Sequence, residues 1–190
     1  MQESNSENFN HLKIHSQFSI CEGAIKIDDL KDISKNKKLK ALGLCDTSNL
    51  CGALEFAEKL SKSGSQPIIG TQINFKLNDT TGLLPLFALN EDGYKTIIKL
   101  SSLSFLKNDE LSDPHLDFNY LLNNNEGVAI FSGTVNGLFG QLFNKGKFSE
   151  IGEIFSKLKV NYGDRFYIEI QRHGDHNEKE FEKFNLIISK

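Results

Sequence analysis

Near its start the chain reads Phe9-Asn-His-Leu-Lys-Ile-His-Ser-Gln-Phe-Ser-Ile-Cys-Glu-Gly23, which gathers ionisable side chains in one short stretch. Alternation makes Phe9 to His15 a strand, with Phe9, His11, Lys13 and His15 on one face and Asn10, Leu12 and Ile14 on the other. Strands of a parallel sheet are normally apolar on both faces, so an ionisable face stands out. Polar side chains collected at strand ends are how α/β folds build their sites. The same pattern also fits an edge strand whose polar face is solvated. Asp46 is a second candidate. It lies just past the apolar strand Ala41-Leu-Gly-Leu-Cys45, in the loop before a helix. An α/β fold places chemistry there, and an Asp there can equally cap the loop or the helix.

Composition bounds what these residues can belong to. A chain of 190 residues is about one domain with room for a sizeable core. Tryptophan is absent and 15 phenylalanines carry most of the aromatic bulk. A net charge of −3 and a pI near 6.0 leave no overall electrostatic footprint for gripping duplex nucleic acid. The three cysteines, Cys21, Cys45 and Cys51, form no CxxC pair. They read as reduced thiols of a cytoplasmic protein rather than a disulfide framework or a zinc knuckle. No apolar run is long enough for a membrane span. Residues 1–8 read as a flexible polar lead-in, and residues 9–190 as the domain.

Six strands are expected: Phe9–His15, Ala41–Cys45, Gln66–Phe75, Leu83–Leu89, Val128–Phe131 and Arg165–Gln171. Pro85 suggests an edge or a bulge in the fourth. Helices are expected from Ile27, over Ala53–Lys62 with Leu54, Ala57 and Leu60 inward, and over Glu91–Leu106. Others follow over Leu138–Phe143, Phe148–Leu158 and Glu178–Lys190, the last with Phe181, Phe184, Leu186 and Ile188 largely inward, and one helical turn over Asp117–Leu122. Lys35 to Lys40 reads as a solvated helix end. His115, His173 and His176 fall in exposed loops. Strands interleaved with helices imply an α/β protein with a largely parallel sheet, either a barrel or an open sheet. Neither a GxGxxG nor a Walker loop is present, and no G-x-S-x-G elbow occurs.

Six motifs occur in one order: Phe9-x-His-Leu-x-x-His-Ser-x-x-Ser-x-x-Glu-Gly, Leu44-x-Asp-x-x-Asn-Leu-Cys-Gly, Pro67-Ile-Ile-Gly, Ala88-Leu-Asn-x-x-Gly-Tyr, Glu126-Gly-Val-x-Ile-x-Ser-Gly and Phe166-Tyr-Ile-Glu-Ile-x-Arg-His-Gly. Together they resemble the polymerase and histidinol phosphatase (PHP) domain at the N-terminus of bacterial replicative DNA polymerase III α subunits. The resemblance implies a distorted, seven-stranded β/α barrel whose last strand would lie beyond Lys190. It also implies a parent protein that is a DNA-directed DNA polymerase, using Mg2+ in a palm outside this chain. DNA would be met through that parent, and no membrane is involved.

Metal-binding members of the family carry His, Asp, Glu and Cys ligands at strand ends, a donor set suited to zinc, manganese or iron. By the resemblance, the family's His-x-His falls here on Lys13 and His15. The Asp of its Asp-Gly pair falls on Glu22, and its Thr-Asp-His on Cys45-Asp46-Thr47. The Glu after Ile-Ile-Gly falls on Gln72, a later His on Leu83, and a Cys or His on Thr134. His15, Glu22 and Asp46 are the ligands left, while Lys13, Thr47, Gln72, Leu83 and Thr134 depart. The expectation is a vestigial site of Lys13, His15, Glu22, Asp46 and Gln72 with no catalytic residue and no metal or other cofactor. His11 would be a structural hydrogen-bonding residue. The implied partners are the proofreading exonuclease subunit and the rest of the polymerase holoenzyme. The alternative is an active metal-dependent 3′–5′ exonuclease or phosphoesterase, with zinc or manganese.

Overall fold

The computed structural model describes residues 9–108 and 112–188, so the expected lead-in 1–8 and the last two residues of the expected final helix lie outside it. The chain divides into two units, Met1–Thr71 and Gln72–Lys190.

The first unit holds helix α1 (Ile27–Asn36), strand β1 (Ala41–Thr47), helix α2 (Ala53–Ser63) and the beginning of strand β2 (Gln66–Leu77). Its core is Ile27, Leu30, Leu42, Leu44, Phe56 and Leu60, with Ile14, Phe18, Ile25, Leu39 and Ile69 packed against it. In α2 the buried residues are Ala53, Phe56 and Leu60, while Leu54 is exposed. The inward stripe is therefore turned from the expected one, because Phe56 is the larger apolar group and takes the core side.

The expected first strand is not one. Residues 9–15 run beside β1 without strand pairing. Gly43 N–H donates to the His11 carbonyl and Cys45 N–H to the Ile14 carbonyl. Three residues on one side thus face two on the other, a bulge-like slip that breaks the alternation of faces. A Cβ on Gly43 would sit 2.2 Å from the Leu12 carbonyl oxygen, so this close approach requires the glycine.

The second unit carries the rest of β2, then β3 (Thr80–Ala88), α3 (Glu91–Leu106), β4 (Leu116–Asp117) and α4 (Phe118–Asn123). Next come β5 (Val128–Phe131), α5 (Leu138–Asn144), α6 (Phe148–Tyr162), β6 (Phe166–Tyr167) and α7 (Glu178–Ile188). The sheet is mixed rather than largely parallel. A two-residue connection, Asn78-Asp79, joins β2 to β3, and such a short link serves only antiparallel neighbours. With β3 reversed, β5 pairs with it antiparallel, while β5–β6 and β2–β4 are parallel. Among the described residues the strand path β1-β2-β3-β5-β6, with β4 beside β2, is open.

Pro85 sits just outside the β3–β5 ladder. The β3–β5 register covers Leu86 to Ala88 and stops short of it, so the missing N–H removes no bond of that ladder. The sixth strand shrinks to two residues, and Leu116–Asp117 is a strand that alternation did not suggest. In α7, Phe181 and Asn185 are buried and Leu186 is exposed. Phe143 draws α7 in, with ring centroids 5.4 Å from Phe181 and 5.3 Å from Phe184.

The start of α7 is held by a carboxylate. Glu178 accepts the His173 and Gly174 N–H groups at 2.9 and 2.8 Å. The His173 hydrogen bond leads the effects that hold its carboxyl below the ordinary carboxylate range. A depressed carboxyl stabilises the fold above its unfolded pKa and loses that contribution as pH falls through the folded value. Glu178→Gln should therefore lower the melting temperature at neutral pH, and the gap to wild type should close as the pH falls below the ordinary carboxylate range. Melting curves across pH read this directly.

Candidate functional site

Of the side chains singled out in the first unit, His15, Glu22, Asp46 and Thr47 meet at the carboxyl end of β1. Strand β1 is buried from Ala41 to Asp46, which drives it into the core and carries the Asp46 carboxylate in with it, 1 % exposed. An ionised carboxylate taken out of water needs donors. The loop after residue 15 supplies them. Ser16 N–H donates to Asp46 Oδ1 at 2.6 Å, Ser16 Oγ to Oδ2 at 2.7 Å and Ser19 Oγ to Oδ1 at 2.6 Å. Ser19 Oγ also accepts Thr47 N–H at 3.0 Å, and Thr71 Oγ1 donates to the Asp46 carbonyl at 2.7 Å.

The loop bends tightly to reach the carboxylate. Cys21 and Ser48 hold left-handed backbone, φ 66° and 56°. A Cβ on Gly23 would lie 2.2 Å from the Ser16 carbonyl oxygen. Asn49 Nδ2 donates to the Phe18 and Thr47 carbonyls at 3.0 and 2.9 Å, binding the two loops together.

Around this clamp lie the other candidates. Thr47 Oγ1 donates to Glu22 Oε2. His15 Nδ1 is 3.9 Å from the same oxygen, and it is buried with no hydrogen-bond partner. Lys13 is half-buried. His15, Glu22, Asp46 and Thr47 are thus brought together. His11 departs from expectation: its side chain is exposed, edge-on to Phe9 at 4.9 Å, and its carbonyl does the hydrogen bonding. Cys21 and Cys51 are exposed free thiols and Cys45 is a buried one. Gln72, Leu83 and Thr134 belong to the second unit. There Gln72 is buried, Leu83 bridges to Gly137 and Thr134 Oγ1 accepts Asn136 N–H at 3.2 Å. His173 and His176 are exposed as expected, and His115 pairs with the Asp113 carbonyl.

Sequence reasoning missed Ser16, Ser19 and Thr71. The signal for the serines was available, since Ser-x-x-Ser stands as fixed letters inside the first motif.

This arrangement fits a metal cluster poorly. A carboxylate offers about four lone-pair sites, and protein donors fill three on Asp46. Among the described residues no group of three or more His, Cys, Asp or Glu side chains is placed to hold a metal ion.

The family model for the PHP domain matches residues 11–173, and the chain belongs to that family. Its relatives are more particular. The DNA polymerase III subunit alpha of Caulobacter vibrioides is 35% identical over 187 residues, covering 92% of this chain and 16% of that protein. The subunit of the same name from Rickettsia felis is 38% identical over 175 residues, covering 91% of this chain and 14% of that protein. The chain therefore spans about one sixth of the length of the curated relatives it matches. A putative metal-dependent phosphoesterase from Bifidobacterium adolescentis overlaps 77% of this chain and 54% of its own, at 16% identity and a TM-score of 0.39. Among the described residues no helix is long and apolar enough to cross a membrane.

Asp46→Ala should strip the loop of its anchor and leave the Ser16 N–H buried without an acceptor. The expected loss is about 3 kcal/mol, read as a lower denaturation midpoint, with faster hydrogen exchange at the Ser16 amide. Asp46→Asn keeps an acceptor oxygen and should cost less.

Proposed function

We propose that this chain is a metal-free PHP domain of a replicative DNA polymerase α subunit, serving as structural base and as docking site for a separate proofreading exonuclease subunit. The observation that carries this reading is the use of Asp46. Its carboxylate binds Ser16 and Ser19, so the strongest surviving ligand position is spent on holding a loop. The substitutions point the same way: Lys13 brings a positive charge, Gln72 a neutral amide, and Thr47 and Thr134 hydroxyls where the family has stronger donors. Template-directed nucleotidyl transfer with Mg2+ belongs to the parent protein, whose palm lies outside the matched region.

One observation favours a second reading, a metal-dependent 3′–5′ exonuclease or phosphoesterase. His15 Nδ1 is buried, lacks a partner and faces Glu22 at 3.9 Å, as a ligand pair would. Two donors do not make a polynuclear site.

Elemental analysis separates the readings. The chain purified without chelator should carry well under one zinc, manganese or iron per chain. It should degrade no single-stranded DNA and should bind the exonuclease subunit in calorimetry. Two or more metals per chain would sink the docking reading and call for nuclease assays.

A further inference from the structure

Helix α1 ends in a turn carrying Lys35, Lys37, Lys38 and Lys40, all exposed. The turn is a closed cap. Lys38 N–H donates to the Lys35 carbonyl at 3.2 Å and Leu39 N–H to the Ser34 carbonyl at 3.0 Å, the paired bonds of a Schellman motif. Leu39 packs against the core of the first unit and anchors the turn.

This motif places one residue in left-handed backbone, and here it is Lys38 at φ 51°. Glycine takes that conformation freely, whereas a residue with a Cβ is held there at a cost in stability. Helix α2 ends in the same pair of bonds, Gly64 N–H to the Ser61 carbonyl and Ser65 N–H to the Leu60 carbonyl, and it follows the preference with Gly64 at φ 85°. The end of α1 instead keeps a lysine. Local ion pairing does not account for it. Among the described residues the pairs on α1 and α2 join Lys31 to Asp28 and Asp32, Lys59 to Asp28 and Glu55, and Lys62 to Glu58, and none of them uses a turn lysine. Reading the stretch as a merely solvated helix end leaves the strained lysine unexplained.

We propose that this turn binds the phosphate backbone of a nucleic acid, its four ammonium groups set against phosphates. Protein interfaces deplete lysine and rely on aromatic and arginine anchors, and residues 35–40 contain neither. Their one apolar side chain, Leu39, packs inward. Lysine is a compact charge on a flexible stem, which suits phosphates at variable spacing. Against a net charge of −3 the binding is weak, independent of sequence and sensitive to salt.

The test is fluorescence anisotropy of the 190-residue chain with a labelled DNA duplex across salt concentrations. Log affinity should fall against log salt with a slope of about −3 to −4, as four phosphate contacts require. Replacing all four lysines by glutamine should remove that dependence. Lys38→Gly carries the sharper test: it should raise the denaturation midpoint while lowering the slope by about one. Either an unchanged slope in the fourfold variant or a Lys38→Gly protein that is no more stable than wild type would overturn the proposal. So would tighter binding of labelled poly-glutamate than of the duplex at equal salt, which would point to an acidic protein segment instead.

Discussion

A carboxylate pulled into the interior by its own strand is the constraint on which the first unit is arranged. Strand β1 must bury Leu42 and Leu44 to make a core, and the pleat carries Asp46 in with them. Unpaired, that charge would cost far more than the fold could bear. The loop of residues 16–23 answers it with an amide and two hydroxyls, and in doing so fixes its own path. The left-handed Cys21 and the tightly placed Gly23 are consequences of that path. The position of His15 beside Glu22 follows as well, so the candidate site is shaped by hydrogen-bond satisfaction first.

Asp46 also limits how the site could change. Imidazoles introduced at Lys13 and Thr47 would leave the Asp46 carboxylate still engaged by Ser16 and Ser19. To turn toward a cation, Asp46 would have to release Ser16 and Ser19, and the loop that presents His15 and Glu22 would loosen with them. Single substitutions in either direction therefore carry a structural penalty as well as a chemical effect.

Much of the fold was legible where one local rule sufficed. Helix α3 was readable to the residue because Asn90 caps it, accepting Gly93 N–H at 2.9 Å, and apolar side chains recur behind it. The family was legible from ordered motifs. The rest depended on partners distant in sequence. Phe9 to His15 alternates as a strand should, yet its register against β1 slips between His11 and Ile14, which no local pattern encodes. The antiparallel β3–β5 pairing follows from a two-residue link whose meaning appears only once both flanking strands are known. Asp46 was singled out for its place at a strand end, but its role depended on serines some thirty residues earlier, whose hydroxyls look unremarkable in isolation.

The distribution of chromophores has a practical consequence. The chain has no tryptophan, and its four tyrosines, Tyr94, Tyr120, Tyr162 and Tyr167, all lie beyond Gln72. Tyr162 is buried and donates to the Leu121 carbonyl at 3.0 Å, and burial pushes its phenol well above the usual range. Intrinsic emission is therefore blind to the unit that holds Asp46, whereas circular dichroism sees α1 and α2 as well. Coincident transitions by independent probes are the mark of two-state unfolding. In this protein the comparison of those two signals is a built-in gauge of whether its halves melt as one.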